Sequence, residues 1–175
     1  MPRGIAVLGL NGSGKTTLGR ALAEALGWQR LDVEDYYFLD PARPFEASRT
    51  RAEVQARMEA DIRARGDFVL SSVHGDWGEE IVLQYVLAVL LAAPLDVRLE
   101  RIEQRERARF GARVAAGGDL CENERAFRAF VAARDPLETE RRAEALPCPL
   151  LRLDGARPVL ELVYAVQKAI KEWIA

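Results

Sequence analysis

The chain is poor in cysteine and histidine. Its 175 residues include two cysteines, Cys121 and Cys148, and one histidine, His74. Two distant thiols supply neither a disulfide framework nor the spacing of a metal site. Long hydrophobic runs are also missing. The longest, Val86 to Pro94, is too short to span a bilayer, so no membrane association is expected. Nor is there an excess of either charge: 25 Lys and Arg against 27 Asp and Glu leave a net charge of −2. With no basic stripe interleaved with aromatics, that balance argues against a nucleic-acid partner. There is no internal repeat, low-complexity tract or second-domain linker. The chain enters a strand almost at once, which leaves no room for a signal peptide and makes a reduced, cytoplasmic location the expectation. What remains is a chain that is 49% hydrophobic, expected to fold as one domain over residues 1–175.

Against that background one stretch stands out. Gly9 to Thr17 reads Gly-Leu-Asn-Gly-Ser-Gly-Lys-Thr-Thr. It fits Gly-x-x-x-x-Gly-Lys-Ser/Thr, with Gly9, Gly14, Lys15 and Thr16 at the fixed positions. Small residues here, Asn11, Gly12 and Ser13 among them, let backbone N–H groups converge on phosphate oxygens. Lys15 is expected at the β- and γ-phosphates, Thr16 at Mg²⁺, and Thr17 beside it in the first helical turn. The context agrees. Ile5 to Leu10 is an apolar run suited to a buried parallel strand. From Lys15 onward, Leu18, Leu22 and Leu26 share a helical face, and Gly27 reads as its C-cap.

Further on, strand and helix patterns alternate. Strands are expected at Trp28–Val33, Phe68–Val73, Tyr85–Ala92 and Pro149–Leu153. Helices are expected at about Ala47–Arg65, from Pro94, at about Glu122–Ala133 and from Pro158 to the end, with a short charged helix after Pro136. Pro41 and Pro44 mark an irregular connection. Alternation of this kind implies a parallel sheet covered by helices on both faces, with ligands beyond the carboxyl ends of its strands. The phosphate loop, the acidic run Asp32, Glu34, Asp35 and the loop His74 to Asp76 all follow strands, so they should share that rim.

With these parts in order, the whole chain resembles the nucleoside-monophosphate-kinase-like group of P-loop kinases, which includes adenylate, shikimate and gluconate kinases. The resemblance implies a three-layer α/β P-loop fold, a five-stranded parallel sheet of order 2-3-1-4-5 and a helical lid, here at about 105–120. It also implies ATP and Mg²⁺ as cofactors and a small-molecule acceptor, bound over about 36–65. Lid arginines in such kinases neutralise the transferred phosphoryl group. Arg105, Arg109 and Arg113 are the candidates, on one face if the helix continues; the alternative is a solvated helix with Glu103 and Arg107 as an ordinary i,i+4 pair. For the acidic run the register is open. Asp32 and Glu34 fit the D-x-D spacing of shikimate kinases, whereas Asp35 before Tyr36 fits the Asp-aromatic pattern of uridine-kinase-like enzymes. The expectation is Asp35 as base and Asp32 in the magnesium shell, with Asp76 a second magnesium candidate. Arg49, Arg51 and His74 are candidate acceptor contacts, and the turn containing Arg157 resembles the adenine-contacting loop. The competing reading is a nucleotide switch or ATP hydrolase working through a protein partner. No Asn-Lys-x-Asp stretch supports a GTPase. The acceptor and the oligomeric state carry no decodable motif.

Overall fold

A computed structural model describes residues 1–39 and 47–173. Five strands, β1 (Gly4–Leu8), β2 (Gln29–Asp32), β3 (Phe68–Ser72), β4 (Tyr85–Ala92) and β5 (Leu150–Asp154), form one sheet in the order β2-β3-β1-β4-β5. Every pairing is parallel. Parallel neighbours need a crossover, and these crossovers are helical. They are α1 (Lys15–Leu26), α3 (Arg51–Arg65) and, between β4 and β5, α5 (Leu95–Phe110), α6 (Cys121–Ala133) and α7 (Pro136–Glu144); α8 (Val159–Trp173) follows β5. The expected fold is therefore present. Two short helices carried no periodic signal and were not expected: α2 (Val33–Tyr37) and α4 (Glu79–Val82).

Alternation along the strands sorts the core into two layers. Ile5 and Val7 of β1, with Val69, Leu87 and Val89, meet Leu18 and Leu22 of α1 and Leu162 and Val166 of α8. Ala6 and Leu8, with Leu31, Leu70 and Leu90, meet Val54, Met58 and Ile62 of α3. All of β1 is buried, as the central strand of a doubly covered sheet must be. The two serines that interrupt the apolar run of β3 have structural tasks. Ser71 Oγ donates to the Lys15 carbonyl, tying β3 to the start of α1. Ser72 Oγ accepts from the Trp77 indole at 2.9 Å.

The segment 105–120 departs from a continuous helix. α5 stops at Phe110, a 3₁₀ turn spans Gly111–Val114, and α6 begins at Cys121. Arg105 and Arg109 lie on α5, but Arg113 lies in the turn, so the three do not share a face. The reason is Gly111, which caps α5 and redirects the chain. Pro41 and Pro44 fall outside the described residues.

Candidate nucleotide and acceptor site

The loop between β1 and α1 is shaped by glycine. Gly12 has φ 82°, a left-handed conformation, and a Cβ there would collide with the backbone of Arg98. Arg98 is itself buried, 3% exposed, and its guanidinium donates to the Ala93 carbonyl at 3.2 Å and the Asn11 carbonyl at 3.4 Å. Arg101 acts alongside it. One of its nitrogens lies 2.9 Å from the Gly155 carbonyl and 3.4 Å from those of Gly12 and Ser13. Two arginines of α5 thus hold the loop by its carbonyls; the Ser13 N–H turns back to the Leu10 carbonyl at 3.1 Å, and N–H groups not so engaged can face an anion. Asn11 Oδ1 and Ser13 Oγ are buried without a hydrogen-bond partner. The Ser13 hydroxyl can donate to a phosphate oxygen, whereas the Asn11 amide oxygen can only accept.

Lys15 is buried, and burial pulls its ammonium pKa down; Glu34 and Asp32 push it up, while Arg105 and Arg134 lower it again. Those four charges define the site. Asp32 is buried at the end of β2 and accepts the Glu34 N–H at 3.1 Å as the N-cap of α2. Glu34, exposed, lines a cleft of about 580 Å³ together with Lys15, Thr16, Arg105, Arg109 and Arg157. Thr16 is half-buried and Thr17 exposed at the start of α1. Gly9 lies where β1 ends and Gly14 where α1 begins.

The remaining candidates are divided. Asp35 is exposed and bonded to Arg30 at 2.5 Å, and the same guanidinium lies 3.8 Å from Asp32. Asp76 and Arg51 engage each other: the carboxylate is 3.4 Å from the guanidinium, which also donates to the Asp76 carbonyl and lies 4.9 Å above the Trp77 ring. Arg49 donates to the carbonyls of Tyr36 and Phe38 at 2.8 and 3.0 Å, clamping the segment after α2. Arg105 is 2.9 Å from its buried neighbour Glu106. Arg109 lies over the Phe110 ring at 5.0 Å. Arg113 forms a bidentate pair with Asp119, away from the cleft lining. Arg157 pairs with Glu161 one turn on, at 2.7 Å. Glu103 and Arg107 do form the plain i,i+4 pair, at 2.6 Å.

His74 is half-buried, and its Nε2 lies 3.1 Å from Arg134 Nη2. Arg134 was not among the sequence candidates, and neither were Arg98 and Arg101. Only Arg134 had a usable signal: it stands just before Asp135-Pro136, where α6 must end, and a joint between helices can face the rim. Among the described residues, no group of three or more His, Cys, Asp or Glu side chains gathers around one point. A divalent ion here would therefore rest on Thr16 and Asp32 together with nucleotide oxygens and water.

Comparison with known proteins agrees with this geometry. The family described as "AAA domain" matches residues 5–126. Uncharacterized protein YqaC of Bacillus subtilis is 33% identical over 171 residues, covering 93% of this chain and 94% of that one. The cytidylate kinase of Natronomonas pharaonis is 35% identical over 117 residues, 58% of either chain. Among solved structures, a gluconokinase from Sinorhizobium meliloti superposes with a TM-score of 0.64 at 20% identity, over 97% of this chain and 92% of that chain. At that identity the likeness establishes the fold.

Proposed function

Since the chain belongs to the AAA-domain family and has the fold of the P-loop small-molecule kinases, we propose that it transfers the γ-phosphoryl group of ATP, with Mg²⁺, to a hydroxyl or phosphate of a small metabolite. The observation that carries this reading is the buried Lys15 at the end of the glycine loop, within reach of two carboxylates and two guanidinium charges. A protein that only sensed nucleotide would need no such balanced set beside the γ-phosphate.

The loop amides from Gly9 to Thr17 hold the phosphates, and the positive end of α1 adds to their field. Lys15 places its charge on the bridging and terminal oxygens. Thr16 and Asp32 would hold magnesium, which when bound would neutralise phosphate charge. Asp32 suits that task because its capping bond to α2 fixes its orientation. Glu34 takes the acceptor proton. It lines the cleft and carries no capping duty, whereas Asp35 is paired with Arg30. Arg105, Arg109 and Arg134 neutralise the transferred group, the electrostatic contribution that dominates this chemistry. The segment 105–120 closes over the nucleotide, the turn 154–158 contacts the base through its backbone, and residues of 36–65 with His74 border the acceptor.

The test is a panel of nucleosides, nucleoside monophosphates, sugars and hydroxy acids, each incubated with MgATP and assayed for acceptor-dependent ADP. The expected result is turnover with one chemical class, abolished in Lys15→Ala. Slow hydrolysis that no acceptor accelerates would replace this reading with that of a hydrolase acting through a protein partner.

A further inference from the structure

The reaction outlined above gives His74 and Arg134 separate parts and leaves the contact between them unused. The main chain of His74 is pinned on both sides: its N–H donates to Ser72 Oγ at 3.3 Å, and its carbonyl accepts the Trp77 indole N–H at 3.0 Å. The ring is therefore presented by a rigid loop. A guanidinium can only donate, so at 3.1 Å from Arg134 the His74 Nε2 must be the acceptor. In the neutral ring the proton then sits on Nδ1, which is buried and makes no hydrogen bond.

Arg134 is half-buried where α6 ends, with its guanidinium 5.1 Å from the Phe130 ring centre. Its charge reaches both Lys15 and Arg98. Among the described residues no carboxylate comes within ion-pair distance of it. Among the described residues many arginines are aimed by an acid, as Arg30, Arg113 and Arg152 are, and Arg49, Arg98 and Arg101 by backbone carbonyls. An acid orients a cation and cancels its field. A neutral imidazole orients it and cancels nothing.

We infer that His74 is a positioning residue: it aims Arg134 toward the phosphate end of the cleft without pairing it to a carboxylate, so that the guanidinium charge, offset from a distance by Glu138, stays available to phosphoryl oxygens. This rests on the phosphotransferase reading. The groups facing the ring are Arg134 from the end of α6, Arg142 and Glu138 from α7, and Asp76 from its own loop. Burial first, then Arg142 and Arg134, pull the His74 pKa down against the weaker opposite pull of Asp76 and Glu138, so the ring is in its accepting state at neutral pH.

The experiment measures binding of MgADP alone and of MgADP with aluminium fluoride, a mimic of the phosphoryl group in flight. Four proteins are compared: the parent chain, His74→Gln, His74→Ala and His74→Glu. Glutamine offers a neutral carbonyl acceptor and should keep fluoride-complex affinity within about threefold. Alanine and glutamate should each lose about tenfold to a hundredfold, the range in which residues that orient a binding group act. Glutamate is the decisive arm, because it grips Arg134 harder yet removes its field. MgADP affinity should be unchanged in all four. If glutamate binds the fluoride complex as tightly as the parent, or alanine loses nothing, the inference is wrong. If the parent binds MgADP but gains nothing from fluoride, the phosphotransferase reading fails, and this inference with it. Should a His74 variant not fold, Arg134→Gln carries the comparison: it must lose about tenfold to a hundredfold in fluoride-complex affinity.

Discussion

At the scale of single residues, the site is a question of who is already engaged. Among the described residues Asp35 holds Arg30 and Glu34 has no cation so close, although the two are adjacent in sequence. Glu34→Gln is expected to lower kcat by about a hundredfold to ten-thousandfold, the usual weight of a general base. Asp35→Asn should cost less than tenfold. Steady-state rates with the acceptor found by the panel decide between them, and equal losses would return the base to Asp35. The phosphate-loop residues were legible because their spacing is a strict motif with a backbone reason behind it. The arginines were not. Arg49, Arg51 and Arg113 look alike in sequence, but their partners are a pair of carbonyls, Asp76 with Trp77, and Asp119. Those choices depend on folded distances that no local pattern encodes. The same limit hid Arg98 and Arg101, whose task is to hold backbone.

Among the elements, the strands and the end of α1 were the readable part, whereas α3 starts at Arg51 behind its Thr50 cap and not at about Ala47. β4 begins and ends where its apolar run does, and Gly27 caps α1 as its position suggested: its N–H reaches the carbonyls of Ala23 and Glu24, with φ at 67°. That glycine gives a clean prediction. A Cβ at Gly27 meets nothing within 4 Å, so Gly27→Ala introduces only backbone strain. It should destabilise the fold by about 1–2 kcal/mol and lower Tm by about 2–8 °C for a chain of this size. Nucleotide affinity should be untouched, since Gly27 lies at the end of α1 remote from the phosphate loop. Calorimetry with and without MgATP measures both. α2 and α4 were unreadable for a physical reason: one turn of helix has no period to detect. α2 exists because Asp32 caps it, and that cap is what sets Glu34 beside the cleft.

For the whole molecule, the buried and paired ionisable groups set how the fold responds to acid. The His74 pKa lies below its ordinary value of 6.5, so the unfolded chain binds that proton first. Stability from this source is complete above pH 6.5 and falls as pH drops toward the folded value. Asp67 acts lower. Burial raises its pKa, but hydrogen bonds and charge from Arg3 outweigh this and hold it below the usual 3.8. Its contribution is present above 3.8 and lost as pH falls through the folded value. Urea midpoints measured from pH 8 to pH 3 should therefore decline in two stages, and His74→Gln should remove the first. A single decline near pH 4 in both proteins would contradict this.

One nitrogen of the Arg101 guanidinium lies against the carbonyls of Gly155, Gly12 and Ser13 together. With the base against the turn 154–158 and the phosphates in the loop, as proposed, one side chain fixes the separation between the two ends of the nucleotide. It serves as a gauge. Whatever α6 and the segment before it do during turnover, the length from base to γ-phosphate stays constant. The acceptor is brought to that fixed mark.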